Sequence, residues 1–289
     1  MKERLAAEYL RLSVLLGAVE TGWRGQIMLT SVNNARVKQI VQWQTKAKER
    51  KKDNIFIAEG LKMWEEAPEE LLLEVYLTED VEKLLLQEER NREKLQKTTY
   101  ELVSKEVFAK MSDTCSPQGI LCVLRRPFYD KQLLLQQENP MFVILEDLQD
   151  PGNLGTIFRT GEGAGVTGII LNKGTVDLFN PKTIRSTMGS IYRVPFLIEE
   201  SLEELLPELQ KRGIHTLAAH LKGNNYFQEQ SLTEPVAFLI GNEGKGLSEQ
   251  ITKLAGEYIK IPMKGKLESL NASVAASLLM YEAMRQRDV

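Results

Sequence analysis

Phe142 to Asn172 reads FVILEDLQDPGNLGTIFRTGEGAGVTGIILN, and this stretch decides the fold. FVIL is a short apolar run without helical period, as expected of a strand covered on both faces. The run ends in acidic residues, Pro151 and Gly152 turn the chain, and Asn153 is placed to cap a helix. Arg159 follows less than two turns along that helix, where an arginine can face a ligand beyond the strand end. Gly163, Gly165 and Gly168 then close the helix and open a second apolar run, GIILN. Their spacing spells the G-x-G-x-x-G dinucleotide fingerprint, but that fingerprint follows a strand and opens a helix. The context here is inverted, which argues against a nucleotide-dependent oxidoreductase.

Towards the C-terminus the alternation continues through HTLAAH, AFLIGNEG and YIKIPM, each separated from the next by a helical stretch. Residues 141–289 are therefore expected to form an α/β domain around a mostly parallel sheet. Such sheets bind ligands in the loops beyond the carboxyl ends of their strands. In FLIGNEGKGLSEQI, Gly241, Gly244 and Gly246 let the backbone come close to a guest, Glu243 lies among them, and Ser248 can cap the next helix. The G-x-x-x-x-G-K-[ST] phosphate cradle is absent, so a nucleoside triphosphate is not indicated. In IKIPMKGKLESLNASVAASLLMYEAMRQR, Ser269 and Asn271 stand at a helix start. Val274, Leu278 and Tyr281 are expected as its apolar stripe, with Arg285 and Arg287 complementing its C-terminal dipole. Taken singly, capping accounts for Asn153, Ser269 and Asn271, and solubility for Glu243.

Towards the N-terminus, Val37, Ile40, Val41 and Trp43 or Trp64 give helical periodicity around a short strand, IFIAEG. Further strands in LEVYLTED and GILCVL, with helices at about 81–96 and 104–111, complete a small α/β domain over 29–125. The mixed segment RRPFYDKQLLLQQENP places a linker at 126–140. Residues 1–28 share no pattern with the rest and read as a dispensable extension, with Met28 as a second start. Arg36, Lys38, Lys46, Lys48, Arg50, Lys51 and Lys52 are opposed only by Glu49 before Asp53. This basic face is either a solvated helix surface or a phosphate-binding one.

Composition sets wider limits. A chain of 289 residues, 43% hydrophobic and 27% charged, is ordinary for a protein of two packed domains. Its net charge of -3 excludes a uniformly basic nucleic-acid binder but not a local patch. Cys115 and Cys122 have neither C-x-x-C spacing nor nearby histidines, so no metal site or disulfide framework is expected, and a reduced cytoplasmic setting fits. The apolar run from Leu12 to Val19 is too short to span a bilayer, so no membrane association is expected.

Asn153-x-Gly155-x-x-x-Arg159-Thr160, then Ile240-Gly241-x-Glu243-Gly244-x-Gly246-Leu247, then Ile261-Pro262-Met263 with Ser269-Leu270-Asn271-x-Ser273, stand in that order. Together they resemble the three signature motifs of the SpoU-TrmH family, the SPOUT class of RNA 2'-O-ribose methyltransferases. The resemblance runs from Met141 to Arg287. SVNNARVKQI and FIAEG are similar to the small substrate-binding domain, related to ribosomal RNA-binding proteins, that precedes the catalytic domain in many members. Ala272 stands where relatives often carry valine, which leaves the polar residues of the motif intact.

The resemblance implies a parallel α/β catalytic domain whose C-terminal segment is threaded into a deep trefoil knot, an exception to the usual avoidance of threading. It implies S-adenosylmethionine as cofactor, held by backbone groups around Ala219, Gly241, Ile261 and Leu270. Arg159 would be the key catalytic residue, with Asn153, Glu243, Ser269 and Asn271 orienting it, the ribose and the donor. Guanidinium groups keep their protons in proteins, so the arginine is read as a phosphate ligand and stabiliser of a developing alkoxide. Family members are usually homodimers with composite sites. RNA is the implied partner, ribosomal RNA before transfer RNA, with Arg36, Lys38, Lys48, Arg50, Lys51 and Lys52 as expected contacts. A non-catalytic ribosome-assembly factor would be expected to have lost Arg159 or the glycine loop, and both are present.

Overall fold

The computed structural model describes residues 28–225, 231–266 and 269–288. The expected extension, apart from Met28, lies outside them. In the N-terminal part, α1 (Ala35–Thr45) and α2 (Ala47–Asp53) lead into β1 (Ile55–Glu59), α3 (Leu61–Glu66) and β2 (Leu72–Leu77). Then come α4 (Glu79–Gln87), α5 (Glu89–Lys97), β3 (Tyr100–Leu102), α6 (Lys105–Met111) and β4 (Ile120–Arg125). The sheet order is β1-β4-β2-β3, antiparallel except for β2 with β3. The helix expected at 81–96 is two helices broken at Glu88, and β3, three residues long, carries too little pattern to be recognised.

The segment expected as a linker contains a short helix, α7 (Lys131–Leu135). Beyond it run β5 (Met141–Leu145), α8 (Pro151–Gly163), β6 (Gly168–Asn172), α9 (Pro181–Thr187), β7 (Phe196–Glu199) and α10 (Leu202–Lys211). The chain ends with β8 (His215–Asn225), β9 (Val236–Ile240), α11 (Glu249–Leu254), β10 (Glu257–Lys260) and α12 (Ala272–Arg287). Six strands pair in the order β10-β8-β9-β5-β6-β7, and every pairing is parallel, as the apolar runs predict. Five of these strands coincide with the apolar runs of the sequence. The sixth, β7, was not among the expected strands; it lies at the edge, with only Phe196 and Leu197 buried.

Helices cover both faces. Gly155 is what lets α8 lie against α9: a Cβ there would sit 2.8 Å from the Thr183 carbonyl oxygen and 2.3 Å from Ser186 Cβ. On α12 the buried face is Ala276, Leu279, Met280 and Ala283, not the expected stripe. Val274, Leu278 and Tyr281 are 46%, 38% and 45% exposed. The helix is apolar on more than one side, so periodicity alone could not choose the inner face. Its far end is pinned by Arg287, which donates to the carbonyls of Leu232 and Asn139 at 2.9 and 3.0 Å. Arg285 instead pairs with Glu282 one turn back.

One hydrophobic cluster runs through both parts. Phe56 of β1 packs against Phe179 with ring centroids 5.3 Å apart, and Tyr192 donates its hydroxyl to the Met63 carbonyl at 3.0 Å. Arg193 joins Glu66 of α3 to Glu162 of α8. Arg50 corrects the sequence reading most sharply. It is buried, donating to the carbonyls of Trp43 and Gln44 at 2.6 and 3.1 Å and to Asp177 at 2.5 Å. Arg36 is likewise engaged, paired with Glu74 and lying over the Trp43 ring. These two charges are engaged by the protein's own groups, Arg50 buried and Arg36 half-buried, which leaves Lys38, Lys48, Lys51 and Lys52 exposed.

Candidate functional site

A bulge in β8 and the loops after β9 and β10 meet at the carboxyl edge of the sheet, where parallel strands leave a crevice. They enclose a cleft of about 390 Å³ together with the start of α12. Ala219, Gly241, Ile261 and Leu270 all line it, and so do Glu243 and Ser269. The β8 register explains the first of these. Ala218 pairs with Tyr258 but Asn224 pairs with the next residue, Ile259, so 219–223 bulge out of the strand into the cleft wall. Gly223 permits the crossing, since a Cβ would lie 2.6 Å from the Ile259 backbone.

The glycine loop is held tight by Asn242. Its Oδ1 accepts the N–H groups of Gly244 and Lys245, each at 3.0 Å, and its Nδ2 donates to the Asp147 carbonyl at 2.8 Å. Gly241 is required by packing: a Cβ would stand 2.1 Å from the backbone of Gly246 and Leu247. Asp147 lies in the left-handed region at φ 55°, uncommon outside glycine. Asn172 fixes it there, donating to its carboxylate at 2.8 Å and accepting its N–H at 3.0 Å.

A chain of side-chain hydrogen bonds joins three of the predicted polar residues. Asn153 donates to Glu243 at 3.1 Å, and Asn271 donates to Asn153 at 3.0 Å. Asn153 is free to do this because it is not the cap of α8. Asp150 is, accepting the Asn153 N–H at 2.8 Å, while Asn153 sits in the first turn with its amide outward. Asn271 does cap α12, as expected, accepting from Ser273 and Val274. Ser273 completes the chain, donating to Asn271 at 2.7 Å; the motif contained it, but nothing in the sequence singled out a first-turn serine. Ser269 stands exposed on the cleft rim. Arg159 is exposed, does not line the cleft, and makes no hydrogen bond or ion pair among the described residues.

Glu243 accepts the N–H groups of Gln149 and Asp150 at 3.0 and 2.9 Å. Partial burial pushes its carboxyl up, but these donors and Asn153 outweigh it and hold the group below its ordinary range. A depressed native pKa gives a stabilising contribution that is full above the unfolded value and lost as pH falls through the native one. Wild type should therefore melt above Glu243→Gln at pH 7, with the gap closing as pH falls below about 4. A gap that does not change with pH would show that the carboxylate's charge is not what the loop uses.

Among the described residues no group of histidine, cysteine or carboxylate side chains could hold a metal ion, and no helix is long and apolar enough to cross a membrane. The cleft suits a nucleoside carrying charged groups. Leu221, Leu247 and Met263 offer apolar walls, Lys245 and Lys260 offer cations for a carboxylate, and the glycine loop brings backbone polar groups close.

The SpoU rRNA Methylase family matches residues 140–281, and the MRM3-like substrate binding domain matches residues 34–122. The 23S rRNA (guanosine(2553)-2'-O)-methyltransferase RlmP of Bacillus subtilis (strain 168) is 31% identical over 255 residues, 88% of this chain and 97% of that protein. An AdoMet-bound rRNA methyltransferase from Sinorhizobium meliloti superposes with a TM-score of 0.76 at 30% identity, over 90% of this chain and 97% of that one. The SpoU methyltransferase AviRb from Streptomyces viridochromogenes, in complex with AdoMet, gives a TM-score of 0.78 at 25% identity, over 89% and 99%.

Proposed function

The chain belongs to the SpoU rRNA Methylase family of S-adenosylmethionine-dependent RNA methyltransferases, and we propose that it methylates a ribose 2'-hydroxyl of ribosomal RNA. The observation that carries the reading is the cleft at the carboxyl edge of the sheet, where Ala219, Gly241, Ile261 and Leu270 converge beside Glu243. Ribosomal RNA is favoured because a relative that is similar over 88% of this chain is named for a 23S rRNA 2'-O-methylation. With that substrate, the cytoplasm is its place of action.

The donor supplies an electrophilic methyl group. What the protein must add is position, because in-line geometry alone can contribute roughly 7 to 11 kcal/mol. Gly241 and its neighbours would hold the donor through backbone groups, and the Glu243–Asn153–Asn271 chain would fix the rim on which the ribose lies. Arg159 would bind phosphate and stabilise negative charge growing on the 2'-oxygen. Since Arg159 does not line its own chain's cleft, we assign it to the cleft of a second copy. The exposed Val274, Leu278 and Tyr281 stripe supports such a homodimer, because a monomer gains nothing by leaving it in water. The C-terminal trefoil knot and the domain limits at 29–125 and 141–289 belong to the same proposal.

Two measurements test it. Calorimetry should show binding of S-adenosylmethionine and none of NAD. RNA from cells lacking the protein should lose a 2'-O-methyl mark in ribosomal RNA that returns on complementation. A chain that binds donor but restores no ribose mark would be a methyltransferase of another position, or an assembly factor.

A further inference from the structure

A second cleft, of about 410 Å³, opens where the two parts of the chain meet. Lys48 and Lys51 of α2, Arg126 of the linker, and Lys173, Asp177 and Ile198 of the catalytic part line it. Lys48 and Lys51 are three residues apart on one helix, so they leave it on the same side. Both are exposed, and neither forms an ion pair among the described residues. Asp177 brings a carboxylate, but the buried Arg50 already neutralises it. Lys173 is paired with Glu200 only at the surface, where such pairs are weak. Arg126 lies over the Phe179 ring, 4.2 Å from its centroid, and donates to the Ile55 carbonyl at 3.0 Å. The cleft is thus positive in a chain whose net charge is -3.

Two residues beyond Arg126, Phe128 is 88% exposed. Its neighbour Tyr129 takes the inward position, edge-on to Phe196 with centroids 5.3 Å apart, and Asp130 caps α7. The linker is therefore anchored on either side of Phe128, with the ring presented to water. A lone exposed aromatic needs no explanation. One held on an anchored linker, two residues from the cleft-lining Arg126 and in a chain segment that borders a lysine-rich cleft, does.

We propose that this junction binds single-stranded RNA, with an unpaired base stacked on Phe128 and the adjoining phosphates on Lys48, Lys51 and Lys173. The inference rests on the RNA-substrate reading above and names the form of RNA and where it lies. In a duplex the faces of bases are covered by their neighbours, so a ring on a linker needs an unpaired one. A protein partner fits less well, because lysine is depleted at the centre of protein interfaces. The cleft is also coupled to the donor site through the loop 147–150, whose Gln149 and Asp150 N–H groups donate to Glu243. Its rim is tied to the loop 147–150 by Gln149 donating to the Gly174 carbonyl and Val176 donating to the Leu148 carbonyl, each at 2.8 Å.

The test is binding of a fluorescein-labelled oligouridylate to the full chain. Phe128→Ala and Phe128→Leu should both bind it roughly tenfold more weakly, since leucine keeps the bulk but loses the stacking face. Lys48→Gln with Lys51→Gln should flatten the salt dependence by about 1.4 in slope, roughly 0.7 per single-strand phosphate contact. S-adenosylmethionine affinity should be the same in all three. Phe128→Leu binding like wild type would overturn the stacking role, and an unchanged salt slope would overturn the phosphate role. Methyl transfer by the wild type separates the two readings. A wild type that methylates ribosomal RNA while its Phe128 variants bind normally sinks the surface alone; one that binds through Phe128 and transfers no methyl sinks the catalytic reading alone.

Discussion

Replacing Arg159 with alanine should leave S-adenosylmethionine affinity within a few-fold of wild type and lower turnover by at least about 10²-fold, the usual loss when one preorganised electrostatic group is removed. The structure sharpens this expectation. Arg159 has no partner among the described residues and does not line its own cleft, so its loss should break no contact on which the fold depends. Surface substitutions of that kind usually stay within about 0.5 kcal/mol. A large loss of rate with an unchanged melting temperature is therefore the expected signature. Arg159→Lys should also be slow, because an ammonium lacks the planar fork that grips two acceptors. Mixing Arg159→Ala with a Gly241→Val chain should restore activity if the arginine serves a neighbour's cleft. In a freely exchanging two-fold dimer, recovery should reach about a quarter of wild type. Retained activity in Arg159→Ala alone would remove the proposed role, and failure of the mixture to recover would place the arginine in its own subunit's site.

The sequence showed the parallel sheet because its inner strands are covered on both faces and read as unbroken apolar runs, such as FVIL and AFLI. It showed the glycine loop because a backbone that must pass within 2.1 Å of a would-be Cβ admits no other residue at Gly241. What it could not show depends on partners distant in the chain. Asp150 and Asn153 are both good capping residues, and only the contact with Glu243, ninety residues on, explains why Asn153 is left free. On α12 the choice between two apolar faces is settled by what packs above the helix, so the stripe of Val274, Leu278 and Tyr281 was placed inside when it lies outside. β7 and β3 were missed for another reason: a short edge strand has too few residues to express a period.

Arg50 is the clearest case of a local pattern with a remote meaning, and its replacement should have the largest effect on stability. In the chain it is one cation in a basic run; in the fold it is 2% exposed. Its guanidinium takes up the carbonyls of Trp43 and Gln44 in the last turn of α1, groups that no helical N–H can reach, and extends to Asp177 in the other part of the protein. Removing one member of a buried charge pair costs about 3 to 5 kcal/mol when the other is left uncompensated. Asp177 keeps 29% of its side chain in water and can be partly solvated, so Arg50→Met should fall near the lower end, about 3 kcal/mol. At roughly 2 to 4 °C per kcal/mol, the melting temperature should drop by about 6 to 12 °C. Arg50→Lys should lie between, since it keeps a charge but cannot reach three acceptors in one plane. Lys51→Gln, the exposed neighbour, should melt within a degree or two of wild type, given a cost of at most about 0.5 kcal/mol. Asp177→Asn combined with Arg50→Met should cost less than the sum of the two singles, because the lost partner is shared. If Arg50→Met instead melted like wild type and weakened RNA binding as the lysine variants do, the arginine would be an RNA ligand after all, and the junction between the two parts would need another lock.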